Sequence, residues 1–410
     1  MKRKLIAIFM TIAMLTTMVP VAFAADLSSE STAEVATQNL TKVNGVYQIG
    51  SAADLQAFSA LVNGGETSAN AELTANINLD NAVFTPIGNA NENSITYAYR
   101  GTFDGKGFTI SHATIASAYN MGIFGFVENG TVKNLTVDYI TVNSSETENE
   151  AAAAAVIGSI HQGHVIDVTA GEHCTVVGIN RVGGVIGSAR DRAEISGCIN
   201  CASVTGSGMY TGGVIGASHD FDTSFIFVTG GPATVTDCYN YGNVNGNTEV
   251  GGIIGYSDQA AIESCHNEGD ITATGNYGTG GIIGFDAYNP RLGGLYSPSK
   301  GSSVSDCSNS GTITGPRSGG IVGTLGVTPG QSQPNSNKTL TSMTGCTNSG
   351  NISGTAGKCG AIFGYPITYA YGDGTNNIDH LYVKITGCTN SGMVNAVTPD
   401  NLTPSPYVEN

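Results

Sequence analysis

The sequence predicts an all-β chain wound as a parallel β-helix, a solenoid closed at its N-terminal end by a short capping helix. Three observations carry this expectation. The unit Val250–Gly275, VGGIIGYSDQAAIESCHNEGDITATG, holds three strand-like runs, GGIIGY, AIESCHN and DITATG, punctuated by Gly, Asn, Asp and Ser, and most of the chain repeats it. Two markers recur together. One is a pair of apolar β-formers followed by Gly, with final glycines Gly125, Gly158, Gly187, Gly216, Gly255, Gly284, Gly323 and Gly364, spaced 33, 29, 29, 39, 29, 39 and 41 apart. The other is Cys-x-Asn, at Cys198/Asn200, Cys238/Asn240, Cys265/Asn267, Cys307/Asn309, Cys346/Asn348 and Cys388/Asn390. Finally, the variation in length has one location. From each Cys to the next marker Gly the distance stays between 16 and 19, whereas from marker Gly to the following Cys it jumps between 10–11 and 22–24. Self-similarity at about 20–50 residues marks a stacked architecture whose insertions project from one face.

The elements follow in order. Residues 1–24 read as a secretory signal peptide: the basic start Lys2-Arg3-Lys4, an apolar run from Leu5 to Val19 too short for a membrane span, and Ala22-Phe23-Ala24 as an A-x-A site. Residues 25–45 are polar and read as a flexible leader. Ser51 is a helix N-cap with Asp54 three residues on; Leu55, Phe58, Leu61 and Val62 form an apolar stripe and Asn63-Gly64 a stop. The predicted helix over 51–63 covers the open strand edge of the solenoid. Short strands are expected at Glu72–Leu79, Gly101–Phe103 and Phe108–His112, with Asp104-Gly105 as a turn. Residues 46–120 are thus the cap and first coils, 121–396 the repeats with their insertions, and 397–410 a Pro/Thr-rich flexible tail. In each coil the marker Gly is expected to allow a backbone turn that a Cβ would obstruct. At a strand spacing of about 4.8 Å the rod is on the order of 40–50 Å long. A β-propeller is the competing architecture, but its blades need four antiparallel strands in about 40 residues, and several units here have only 29.

The formal charge is −16, from 16 basic and 32 acidic residues, and loss of Lys2, Arg3 and Lys4 with the signal peptide takes it to −19. Clustered cations of the kind a nucleic-acid groove needs are missing, so nucleic acid is excluded as a partner. The nine Cys, an odd number in a long chain, do not form a small disulfide framework.

The repeated thiols Cys198, Cys238, Cys265, Cys307, Cys346 and Cys388 are expected to stack as a buried structural ladder, because in-register parallel neighbours seldom offer disulfide geometry. Asn200, Asn240, Asn267, Asn309, Asn348 and Asn390 share that side and form an amide ladder. Cys198-x-x-Cys201 lacks a second ligand pair, so no metal site and no cofactor are expected. Function is sought in the insertions, near 217–234, 285–303, 324–342 and 365–384, since loops on a rigid scaffold carry binding surfaces. Phe221, Tyr288, Tyr296, Tyr369 and Tyr371 are the candidate ligand-binding residues there, with Asp220, Asp222, Phe285, Asp286 and Tyr365 nearby. Aromatic rings beside carboxylates suit glycans; packing of these rings onto the rod is the structural alternative. Sequence signatures of a metalloprotease, a serine hydrolase, a P-loop or a calcium loop are absent. A carboxylate cluster for polysaccharide cleavage would have to assemble His219, Asp220 and Asp222 with Asp286 from non-adjacent repeats.

The G-G-[IV]-[IV]-G and C-x-N-x-G-x-[IV] patterns resemble those of GLUG-motif proteins, as does the run from Phe84-Thr-Pro-Ile-Gly88 through Tyr99–Ile110 to Gly122-Ile-Phe-Gly125. The resemblance covers about residues 45–396. It implies a right-handed β-helix in a secreted or wall-associated bacterial protein. Such repeats also accompany IgA-specific metallopeptidases, whose zinc motif is missing here. The resemblance supplies no catalytic residues to carry over. The expectation is therefore a non-catalytic, adhesin-like protein, secreted or at the cell surface and without a membrane span in the mature chain, that binds glycans or host and cell-surface proteins. A polysaccharide lyase or hydrolase and a purely structural surface rod are the alternatives.

Overall fold

One turn of the chain shows how the fold is made. Thr248–Gly251, Ile254–Asp258, Ala261–Glu263, His266–Asn267 and Ile271–Ala273 follow one another as short strands. Each then pairs in parallel with its counterpart in the next turn: Gly251 with Gly280, Ile254 with Ile283, Ile262 with Val304, Asn267 with Asn309 and Ile271 with Ile313. This computed structural model describes residues 40–90, 95–115, 119–147, 151–219, 233–288, 301–327, 338–355, 358–367, 381–396 and 408–409. Its strands form two sheets of eight, the first running from Asn120–Met121 to Cys359–Gly360 and the second from Phe124–Glu128 to Phe363–Ile367, and a third collection of 28. The protein is a parallel β-helix.

The three runs read from the repeat are each real but two of them are broken. GGIIGY is split between the first and second sheets. AIESCHN bends at Ser264, whose φ is 52°. Asn134, Asp167, Gly197, Asp237, Ser264, Asp306, Gly345 and Gly387 all take this left-handed conformation, directly before the residues of the thiol column. Asn, Asp, Ser and Gly tolerate it, so a corner of the coil is written in a residue type that hydrophobic patterning does not register.

The interior is filled by stacked apolar columns. Val132, Val165, Ile195, Val235, Ile262, Val304 and Met343 lie one above another and are all buried. The thiols form another such column: Cys198 to Cys346 are buried and free, while Cys388 in the last coil is half-buried. In the preceding turns Leu135 and Val168 occupy the same position, so the thiols serve there as apolar side chains. Two residues on, each Asn Nδ2 donates to the Oδ1 of the next Asn at 2.7 Å, from Asn200 through Asn240, Asn267, Asn309 and Asn348 to Asn390. Its second proton goes to the carbonyl two residues ahead, as from Asn267 to Gly269. Val137 and Ala170 precede Asn200 in this column.

The glycines of the repeat make room. A Cβ on Gly252 would lie 2.4 Å from Asn267 Cγ, so the second Gly of each Gly-Gly pair faces the amide ladder. The marker glycines were expected to permit a turn. They instead lie inside strands at ordinary φ, and a Cβ on Gly255 would lie 2.5 Å from Thr211 N in the preceding coil. Close approach of neighbouring coils, not turn geometry, requires them.

At the N-terminal end the helix spans Ala52–Asn63; Ser51 caps it by accepting from Asp54 N at 3.2 Å. Leu55, Phe58 and Val62 are buried, and Phe58 packs edge-on against Tyr47 and Tyr99 and tilted against Phe103. Part of the segment read as leader is ordered strand: Lys42–Val43 pairs antiparallel with Val46–Ile49 through Asn44-Gly45, both at positive φ. The expected strand Glu72–Leu79 is two, Ala71–Leu73 and Ile77–Phe84. Thr102–Asp104 and Thr109–Ile115 flank the Asp104-Gly105 turn without pairing to each other. Both pair in parallel with Thr131–Asn143, so that turn is a coil corner. Of the tail, Val408–Glu409 pairs with Val383–Lys384.

Candidate binding face

The four insertions leave the rod at one corner. They follow the second-sheet strands Ile215–His219, Ile283–Tyr288, Val322–Val327 and Phe363–Ile367, and precede Thr234–Thr236, Ser303–Ser305, Lys338–Thr344 and Leu381–Thr386. Coils without an insertion turn this corner in two residues, as between Asp258 and Ala261, with Gln259 at φ 61°. Phe221, Tyr296, Tyr369, Tyr371, Asp220 and Asp222 lie outside the described residues. Tyr288 ends its strand paired with Val327.

Beside this corner runs the outer side of the second sheet. Strand alternation and the register place Phe126, Ser159, Ser188, Ala217, Tyr256, Phe285, Thr324 and Tyr365 in one column on it. The residues one place before the paired Val182, Thr211, Val250, Thr279, Ser318 and Cys359 flank the column; Arg181, Tyr210, Glu249 and Arg317 take positive φ there, and Gly278 and Lys358 occupy the equivalent places. The face therefore changes along the rod. Its middle part is polar: His219 Nε2 accepts from Arg190 Nε at 3.0 Å and lies 3.3 Å from Ser188 Oγ. Burial first, and then the charges of Arg190 and Arg181, hold His219 well below the usual imidazole range, so it is neutral. Burial likewise pushes the Glu249 carboxyl up to about 7.

The C-terminal part is aromatic. Tyr210 and Tyr256 have ring centroids 4.5 Å apart, Tyr256 and Phe285 stack within 4° of parallel at 5.9 Å, and Tyr277 meets Phe285 edge-on at 6.3 Å. Tyr365 packs against the same cluster, with Lys358 Nζ 4.2 Å and Arg317 Cζ 6.0 Å from its ring centre. The Phe285 ring lies over Gly326, where a Cβ would stand 2.2 Å from Cζ. Tyr210, Tyr256, Tyr277 and Tyr365 are all half-buried. Tyr210, Tyr256 and Tyr277 lie outside the insertions, where the sequence analysis did not look; the signal was an aromatic in the third place of Ile-Gly-Tyr256 and Ile-Gly-Phe285.

Asp286 does not join His219 as a carboxylate cluster would require. It sits one column inward, fully buried, accepting from Ser302 N at 3.2 Å and from the hydroxyls of Ser302 and Thr341, which begin the segments returning from the second and third insertions. His219 faces the opposite side of the sheet, toward Ser188 and Arg190. Burial pushes the Asp286 carboxyl up to about 6. No group of three His, Cys, Asp or Glu among the described residues could hold a metal ion. An open depression of about 520 Å³ beside Lys106, Asn134 and Asp167 is a weaker candidate, because Lys106 is already paired with Glu72 and Asp104.

Against known proteins, residues 246–272 match the GLUG motif, which identifies the repeat unit of this β-helix. Over 206 aligned residues the chain is 31% identical to halomucin of Haloquadratum walsbyi; the match covers 42% of this chain but 2% of halomucin. A solved protein from Bacteroides ovatus, provisionally assigned as an immunoglobulin A1 protease, aligns over 87% of both chains with a TM-score of 0.44 and 16% identity. No helix among the described residues is long and apolar enough to cross a membrane.

Proposed function

We propose that this chain is a non-catalytic extracellular or cell-surface protein that binds glycans along the insertion-bearing side of its β-helix. The observation that carries this reading is the position of the aromatic strip. Tyr210, Tyr256, Tyr277, Phe285 and Tyr365 line the sheet whose strands lead into the insertions. A repeated scaffold that presents rings at successive coils matches an extended, repeating ligand, with weak contacts adding through multivalency. The GLUG repeat, the match to a segment of halomucin and the leader-like residues 1–24 support an extracellular or surface placement. The separation of His219 from Asp286 weighs against a hydrolase or lyase built on the same face.

The test is a glycan array probed with the full chain and with two multiple variants: Tyr256→Ala with Tyr365→Ala, and Tyr288, Tyr296, Tyr369 and Tyr371 together replaced by Ala. Loss of the bound glycans in either variant, with the unfolding midpoint kept, is the expected result. Unchanged binding in both removes this side as the binding surface. Release of new reducing or unsaturated ends from a bound polysaccharide would replace the reading with an enzymatic one.

A further inference from the structure

We propose that the C-terminal end of the aromatic strip is an anion-recognising subsite, and that the glycans this protein takes are acidic, carrying carboxylate or sulfate groups. The inference rests on the glycan-binding reading and adds the class of ligand to it.

The starting point is charge. The chain has half as many basic as acidic residues, so two cations side by side on neighbouring coils stand out. In the N-terminal coils Lys106, Lys133 and Arg100 pair with acids, the first two with Asp104 and the last with Glu128. Arg317 and Lys358 do not. Pairing of Ser318 with Cys359 places them at equivalent positions of neighbouring coils, about 4.8 Å apart along the rod. Neither makes an ion pair among the described residues; each lies over the ring of Tyr365.

Two adjacent cations held over one aromatic ring have a specific use. The ring fixes the cations by cation–π contact and offers an apolar edge to a sugar, while the guanidinium and ammonium groups remain donors for an oxyanion. Further along the strip, Phe285, Tyr277 and Tyr256 continue the apolar surface toward the N-terminal coils. An acidic polysaccharide lying along the rod would put a carboxylate or sulfate on Arg317 and Lys358 and pack its neighbouring sugars on the rings. The corner column supports this polarity. At the same register Glu249 stands two coils before Arg317, buried and with Oε2 unpartnered; the column's other cation, Arg181, is buried, so Arg317 and Lys358 are its two adjacent, half-buried cations.

The experiment compares dextran sulfate, polygalacturonate and uncharged dextran as probes, binding to the intact chain at about 150 mM salt, where exposed long-range attraction is screened. The expected result is retention of one or both anionic polymers and not of dextran. Arg317→Gln with Lys358→Gln should weaken that binding by about tenfold or more for the lost charge-assisted bonds. Arg317→Lys with Lys358→Arg should retain most of it. Lys42→Gln, which removes a cation stacked on Tyr47 at the far end, should leave it unchanged. The sulfate and carboxylate arms tell which oxyanion is preferred. Binding of all three polymers alike, with the double Gln variant unaffected, overturns the anionic subsite and leaves the glycan reading standing. Equal loss in Lys42→Gln overturns it as well, since attraction would then be general. Binding of no glycan on the array or among the polymers overturns the reading beneath it.

Discussion

The two sides of this rod obey different rules. On the thiol and amide side the same residues recur in coil after coil: six Cys and six Asn in register, each Asn bonded to the next at 2.7 Å. On the outer side of the second sheet one column reads Phe126, Ser159, Ser188, Ala217, Tyr256, Phe285, Thr324, Tyr365. Stacking at a fixed register rewards repetition, because an amide finds its partner only if the coil above carries one at the same point. A surface that meets another molecule has no such constraint. Within one chain, uniform columns mark positions whose side chains bond from coil to coil, and the varied outer column is the one the binding proposal rests on.

The amide side should be the easier to break. Asn267→Ala removes the acceptor of Asn240 Nδ2 and the donor to Asn309 Oδ1, and it frees the Gly269 carbonyl. Two buried amides left unpaired cost about 2–4 kcal/mol together, read as a fall in the urea midpoint at constant slope. Tyr256→Ala on the varied side should cost less in stability, since that ring is half-buried. If the order is reversed, the distinction between scaffold and surface columns fails.

Acid titration sharpens the same contrast at the insertion roots. Burial raises the Asp286 carboxyl from 3.8 to about 6, so the fold favours its protonated form. That contribution is fully present below 3.8 and is lost as pH rises through about 6. Glu72 and Asp104 have the opposite sign: hydrogen bonds and lysine charges depress them, so their contribution is present at higher pH and is lost in acid. The difference between wild type and Asp286→Asn isolates the buried acid. The variant should gain on wild type by on the order of 1–3 kcal/mol between pH 4 and 7, with thermal midpoints at both pH values as the measurement. A constant difference would mean that Ser302 and Thr341 fully offset the burial.

How much of this was legible in the sequence follows from the same division. Recurrence of Ile-Ile-Gly and Cys-x-Asn gives the solenoid, its period and the corner of the insertions, because register forces residue identity to repeat. The break inside AIESCHN was not legible, since Ser264, like its counterpart Asp237, bends the chain through backbone conformation while the apolar pattern runs on around it. The purpose of the marker glycines was also hidden. Approach of Thr211 to Gly255 is a contact between coils 44 residues apart, and no local propensity reports it. Phe285 and Tyr365 were read with the insertions, but Tyr210, Tyr256 and Tyr277 were missed for a third reason. Tyr256 lies inside the most regular unit of all, where an exposed-facing residue carries no periodic signal.

The smallest effect concerns the thiols, and it tests whether their column is only packing. Cys265 is buried and donates weakly to the Glu263 carbonyl at 3.3 Å. Hydrogen bonding to the neighbouring Cys238 thiol, and then burial, hold its thiol well above the ordinary range, and a thiol kept protonated is a poor nucleophile. Native protein should therefore react slowly with iodoacetamide at the ladder positions, and quickly after unfolding. Because Val168 occupies this column three coils earlier, Cys265→Val should cost about 1 kcal/mol or less, whereas Cys265→Ala, which leaves a void between Cys238 and Cys307, should cost more. If Val is as damaging as Ala, the sulfur contributes through the chain of S–H contacts; if both are silent, the column is looser than its burial indicates.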